Sequence, residues 1–192
     1  MTQQKDFKST DHKPTNCMSI ETIFLDSVRK RFREYKSLGD KTFAQLGDDD
    51  FHFQPNQESN SIAIIVQHLH GNMLSRWTNF LTEDGEKIWR KRDEEFEAKQ
   101  LDKEGVLQLW EEGWQVFLNS LDSLTAEDLS KNITIRSQPL VVIDAINRQL
   151  AHYSYHVGQI TYLGRWRRGK DWRSLSIPKG GSVAFNEKMK EK

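Results

Sequence analysis

VVIDAINRQLAHYSYHVGQITYLGRWRR, running from Val141 to Arg168, holds the clearest hydrophobic period in the chain. Ile143, Ile146, Leu150, Tyr153, Val157, Ile160 and Leu163 recur every three or four residues, the pattern of a helix that buries one stripe. Arg165, Arg167 and Arg168 place positive charge at the negative end of the helix macrodipole, and Gly169 suits the position just past the last turn. Within this helix His152 and His156 are four residues apart, so both imidazoles project from one face and can converge on one ion.

Three more segments show the same period. Ser61 to Leu81 carries Ile62, Ile65, Leu69, Met73, Trp77 and Phe80, together with His68 and His70. Asp102 can cap a helix to about Leu121 along Leu107, Trp110, Trp114, Phe117 and Leu121. Ser19 can cap another to about Leu38 along Ile20, Phe24, Val28, Phe32 and Tyr35, with Glu21 in its first turn. Between them, residues 39–61 read as a long crossover containing at most one helical turn at Thr42 to Leu46, and Thr82 to Gln100 as a densely charged loop. Ile133 to Arg136 alternates as a brief extended segment ending near Pro139, too short to found a sheet. From Lys170 onward no helical period is visible, so an irregular C-terminal strap is expected. The sum is an all-α protein, a four-helix bundle with one long crossover connection, occupying residues 18–192 as one domain. Residues 1–17 are polar, carry Pro14 and read as a flexible N-terminal tail.

Composition narrows the partners. The 28 Lys and Arg balance the 28 Asp and Glu, so no net field draws in nucleic acid or an acidic membrane surface. The basic and aromatic interleaving from Trp166 to Arg173 resembles single-strand binding surfaces, but helix-end charge explains it more simply. No run reaches the roughly 18 consecutive apolar residues of a membrane span. The single cysteine, Cys17, builds no intrachain disulfide and is read as incidental, and the polar start lacks an apolar signal region. A cytoplasmic location with neither membrane nor nucleic-acid partners is the expectation.

A reactive metal site needs a third ligand beside His152 and His156, because three protein donors leave a position open for chemistry. His68 and His70 are the candidates, and helical phase, which leans slightly toward His70, does not settle between them. The competing reading makes the histidines surface or hydrogen-bonded core residues. Tyr153 stands where the HExxH motif would have its glutamate, so no general base is built between the two histidines. Gln159, three residues beyond His156, can orient bound water or a ligand imidazole.

The segment His152-Tyr-Ser-Tyr-His156-Val-Gly-Gln159-Ile resembles the HxxxHxGQI segment of DinB-like proteins. The resemblance continues in Gln67-His-Leu-His-Gly-Asn72, in Asp84-Gly-Glu-Lys-Ile-Trp89-Arg-Lys-Arg-Asp93, and in Trp172-Arg-Ser-Leu-Ser-Ile-Pro-Lys-Gly180. It extends from about Ser19 to Asn186 and is similar to an uncharacterised branch of that superfamily, the domain of unknown function 1572. It implies a DinB-like four-helix bundle and a metal triad of His68, His152 and His156, with His70 outside it. It further implies one divalent ion, zinc or nickel foremost, with thiol-dependent transfer or hydrolysis among the activities of relatives and a homodimer by analogy.

Two functional readings follow. In the first, the protein is a metal-dependent enzyme of hydrolase or thiol S-transferase type, acting on a small-molecule substrate. The metal activates water or a low-molecular-weight thiol, and Gln159 and Arg76 are possible helpers. Asn72, Arg76, Arg90, Asp93 and Arg148 then either hold an anionic substrate or form a salt-bridged network pinning the charged loop. In the second, the chain is a non-catalytic metal-binding or stress-associated dimeric bundle. A cleft joining the histidines to solvent separates the two, since a substrate must enter and a structural ion is sealed.

Overall fold

The side-chain oxygen of Ser19 accepts the N–H of Thr22 at 3.2 Å and starts α1, Ile20–Phe43. The structure is a computed structural model, and it describes residues 18–191; the expected tail and Cys17 lie outside the described residues. Helix α1 continues five residues past Leu38, through Gly39 and Asp40, because the indole of Trp110 lies against the helix at that point. A Cβ on residue 39 would stand 2.7 Å from Trp110 Cη2, and Asp40 accepts the indole N–H at 2.7 Å. Glycine costs a helix about 1 kcal/mol, and the close seating of a buried tryptophan offsets it.

A single turn, α2 (Asp48–Phe51), interrupts the crossover. Ser61 caps α3, Ile62–Trp77, by accepting the N–H of Ile64. This helix ends four residues before Leu81, since Thr78 is extended and Asn79 takes a left-handed φ of 51°. Asp102 caps α4, Lys103–Ser123, through the N–H of Gly105. The longest helix, α5, spans Val142–Arg168 and stops at Gly169, whose φ of 52° glycine tolerates.

Helix α3 packs along α4 and α1 along α5, and contacts of α3 with α5 and α1 with α4 join the four long helices around one core. Its centre is aromatic. Phe117 meets Phe32, Trp77 and Tyr153 edge-on, with centroids 4.5, 4.7 and 5.1 Å away. The stripes are slightly rotated from their sequence reading: Ile20 and Ile143 are exposed, while Leu25 and Val142 take the buried positions.

Three segments differ from expectation. Asn132–Ile135 and Gln138–Val141 form an antiparallel hairpin, β1 and β2, so the protein is mostly helical with one small sheet. Arg136 and Ser137 take left-handed φ values at its turn, and Asp84 holds them by accepting both N–H groups, at 2.9 and 2.7 Å. These two residues lack the Asn-Gly signature of such a turn, and the stabilising acceptor lies some fifty residues away in sequence. The C-terminal strap, tied to the turn after α1 by reciprocal bonds between Gln45 and Arg173, gives way to a helix, α6, at Ser182–Lys190, with no buried residue. The charged loop is itself structured: Lys87 and Glu95 are buried, and Asp93–Phe96 forms a 3-10 turn against α3.

Candidate metal centre

Tyr153 fixes how α5 is rotated. Fully buried, it accepts the indole N–H of Trp77 at 3.1 Å, and its hydroxyl donates to Asn72 Oδ1, also at 3.1 Å. With Tyr153 locked toward α3, its neighbours His152 and His156 stand at the edge of the buried stripe, where His68 of α3 meets them. His68 Nε2 lies 3.3 Å from His152 Nε2, and His156 Nε2 lies 3.1 Å from the same atom. Nitrogen atoms of all three rings fall within 4.8 Å of one another, so the cluster can hold a metal ion.

The outer nitrogens of His68 and His156 are held as well. His68 Nδ1 faces Glu95 Oε2 at 2.9 Å, and its ring stacks on Phe96 with centroids 4.8 Å apart. Arg90 grips the same carboxylate twice, Nε to Oε1 at 2.7 Å and Nη2 to Oε2 at 2.9 Å. The turn carrying Glu95 is pinned by Gln67, whose amide donates toward the carbonyls of Glu94, Glu95 and Glu97. His156 Nδ1 faces Gln159 Oε1 at 2.7 Å, and the amide nitrogen of Gln159 donates to Tyr155 at 3.0 Å, which fixes the oxygen toward the histidine.

Electrostatics sets the tautomers. Burial opposes ionisation of Glu95, but His68 and Arg90 outweigh it and hold the carboxyl below its usual range. An ionised carboxylate only accepts, so His68 carries its proton on Nδ1; His156, facing an amide oxygen, does the same. Both therefore turn Nε2 lone pairs toward His152, whose single N–H can satisfy one of them. Protonation is disfavoured as well. Burial, then repulsion from the neighbouring histidines, lowers His152 to about 3, and burial lowers His156 to about 4. At neutral pH His152 and His156 are therefore neutral imidazoles, able to offer ring lone pairs to a cation.

A polar cavity of about 290 Å³ adjoins the cluster and is bounded by both His68 and His152. Arginine dominates it, from Arg76, Arg90, Arg92, Arg136 and Arg148, with Asn72 and Gln149 completing its lining. Arg76, expected as a helper, is in this wall. Its guanidinium donates to Gly85 O and to Glu86 Oε2, so it also anchors the charged loop.

The structure brings His68, His152, His156 and Gln159 together and leaves His70 aside, where it meets Glu112 at 3.0 Å. Asp93 is fully exposed and outside the cavity. Glu95 and Phe96 were not singled out by the sequence, because a glutamate in the run Arg92-Asp-Glu-Glu-Phe96 carries no periodic signal. The buried carboxylate-to-imidazole contact was visible only once the loop had folded back on α3.

Fold and site together define a mostly helical protein with a half-buried histidine triad able to hold a metal. The chain belongs to the family described as protein of unknown function (DUF1572), whose profile matches residues 19–181. No curated protein matches it.

Proposed function

We propose that the chain is a DinB-like four-helix bundle enzyme in which His68, His152 and His156 hold one divalent ion, zinc or nickel, through their Nε2 atoms. The observation that carries the reading is the convergence of three Nε2 atoms, with the outer nitrogens of His68 and His156 held by Glu95 and Gln159. Donor chemistry fits such an ion. Tetrahedral sites with zinc-nitrogen bonds of about 2.05 Å set their nitrogens about 3.3 Å apart, beside the 3.1 and 3.3 Å found here. Carboxylate-backed and amide-backed histidines are the outer partners that fix ring orientation in metal sites.

Three donors leave coordination positions free, and the adjoining cavity offers a way to them, which favours a reactive site over a sealed structural one. When bound, such an ion supplies Lewis acidity, acidifying water or a low-molecular-weight thiol for attack on an electrophilic small molecule. The protein's own residues do the rest. Glu95 keeps the His68 Nε2 lone pair directed inward, and Gln159 does so for His156. Phe96 covers one face of the His68 ring. The reaction type is hydrolysis or thiol transfer, in a homodimeric, cytoplasmic protein. Among the described residues no helix is long and apolar enough to cross a membrane.

The test is metal content of untagged protein, by elemental analysis, for His152→Ala and His156→Ala beside wild type. Loss of stoichiometric metal with helical circular dichroism retained is the expected result. Retention of metal by both variants would falsify the assignment.

A further inference from the structure

The cavity beside the triad sets five guanidinium groups around a space of about 290 Å³, the lower end of small-ligand sites. Two carboxylates answer three of them. Glu95 binds Arg90, and Glu86 binds Arg76 at 2.9 Å and Arg136 at 3.0 Å. Arg92 forms its one ion-pair contact with the fully exposed Asp93, at 3.8 Å, and lies over the Phe96 ring, while Arg148 has no ion-pair partner among the described residues. Positive charge is thus in excess in a concave, partly water-excluded place, where it attracts an anion far more strongly than on an open surface.

An independent observation points the same way. The Arg90 side chain is 1% exposed, and its Nη1 is buried without a hydrogen-bond partner, 3.8 Å from the nearest ion-pairing oxygen of Glu86. A buried charged donor left unmatched is costly, so an acceptor brought to the Arg90 guanidinium would be held strongly. Asn72 adds a neutral donor. Its Oδ1 is occupied by Tyr153 and Gln149, so the amide nitrogen is the polar end left for the cavity.

We infer that this cavity is the substrate's anion subsite: it takes a small organic anion, a carboxylate or phosphate ester, with its charged head among Arg90, Arg92 and Arg148 and its reacting part toward His152. The inference rests on the metal-enzyme reading for its catalytic meaning, while capture of the anion is a property of the arginines alone. Bidentate guanidinium pairing suits both kinds of head group. It also explains why the charged loop closes over α3 beside the histidines: the loop carries Arg90 and Arg92, while α5 carries Arg148.

Inorganic phosphate is the probe. Calorimetric titration of chelator-treated protein is expected to show saturable binding of one phosphate per chain, in the absence of metal. Arg92→Gln and Arg148→Gln, both at exposed positions, should each weaken it about tenfold or more with helical circular dichroism retained. His156→Ala, which removes a proposed metal ligand outside the cavity lining, should leave phosphate affinity unchanged while zinc is lost. No saturable phosphate binding by metal-free wild type up to about 10 mM, far above the usual range of substrate affinities, overturns the subsite. Wild-type affinity in both arginine variants overturns it equally. Phosphate binding by a wild-type protein that takes up no zinc when zinc is supplied would support the subsite and count against the metal reading alone.

Discussion

Gly71→Ala places the sharpest demand on the proposed site, because residue 71 is not one of its metal donors. It lies on α3 one turn from His68, and a Cβ there would stand 2.7 Å from Glu95 Cδ and closer still to Oε1. Contact distances of about 3.5 Å require the carboxylate to retreat by about 1 Å. That carboxylate is no free side-chain end, since Arg90 holds both its oxygens and His68 holds one. Alanine in place of glycine favours a helix by about 1 kcal/mol. Against this, each charged hydrogen bond broken is worth about 1.5–3 kcal/mol. With two such bonds weakened, the net loss is about 2 kcal/mol, or about 4–8 °C in Tm for a chain of this length. Losing the carboxylate behind a ligand histidine typically lowers metal affinity about 10–100-fold. Competition titration with a chromophoric zinc chelator, paired with thermal melts, reads both quantities. Gly158→Ala is the control: it lies on α5 between two site residues, yet a Cβ there meets nothing within 4 Å, so zinc affinity should hold and Tm should rise slightly. Zinc affinity in Gly71→Ala equal to wild type, with Tm unchanged or raised, would refute the claim that Glu95 governs the ligand His68.

Gly39→Ala is expected to destabilise by about 1–3 kcal/mol, because its methyl group overpacks against the buried Trp110 indole; urea denaturation monitored by tryptophan fluorescence measures it. Asp84→Asn replaces one acceptor oxygen with a donor facing backbone N–H groups, so the hairpin turn at Arg136 and Ser137 should exchange amide hydrogens faster while the helices keep their protection. Acid should weaken the metal-free fold. His152 and His156 are lowered in the folded state, to about 3 and about 4, so only the unfolded chain gains their protons as pH drops below about 6.5. Stability then falls from pH 6.5 toward pH 4, at most about 2.7 kcal/mol per unit for two protons and less after solvent screening. Stability that is flat or rising over that range, by chemical denaturation at fixed temperature, would show the two histidines to be unperturbed.

Helix caps and periods made the four long helices legible in the sequence. Ser19 and Asp102 each cap the helix expected of them, and Ser61, read as the start of the second helix, is its cap, since an N-cap bond is local and its residues are adjacent in the chain. What failed depended on distant partners. Gly39 reads as a helix end until Trp110 is known to rest on it, and Arg136-Ser137 makes no turn signal without Asp84. The site divides along the same line. His152 and His156 share a helix face by spacing alone, but His68 and His70 could be separated only by resemblance, because periodicity does not report how α3 is rotated against α5. Tyr153, bonded to Asn72 and Trp77, is what sets that rotation. Glu95 and the arginine-lined cavity arise from the charged loop folding back, a tertiary event that no local pattern encodes.

In the proposed centre His68, and not its neighbour His70, completes the metal triad with His152 and His156. Elemental analysis of untagged protein, purified without chelator, tests it most directly in wild type, His68→Ala and His70→Ala. Near-stoichiometric metal in wild type and in His70→Ala, with loss in His68→Ala, is the expected result. Metal retained by His68→Ala, or absent from wild type even after incubation with zinc or nickel, would contradict it.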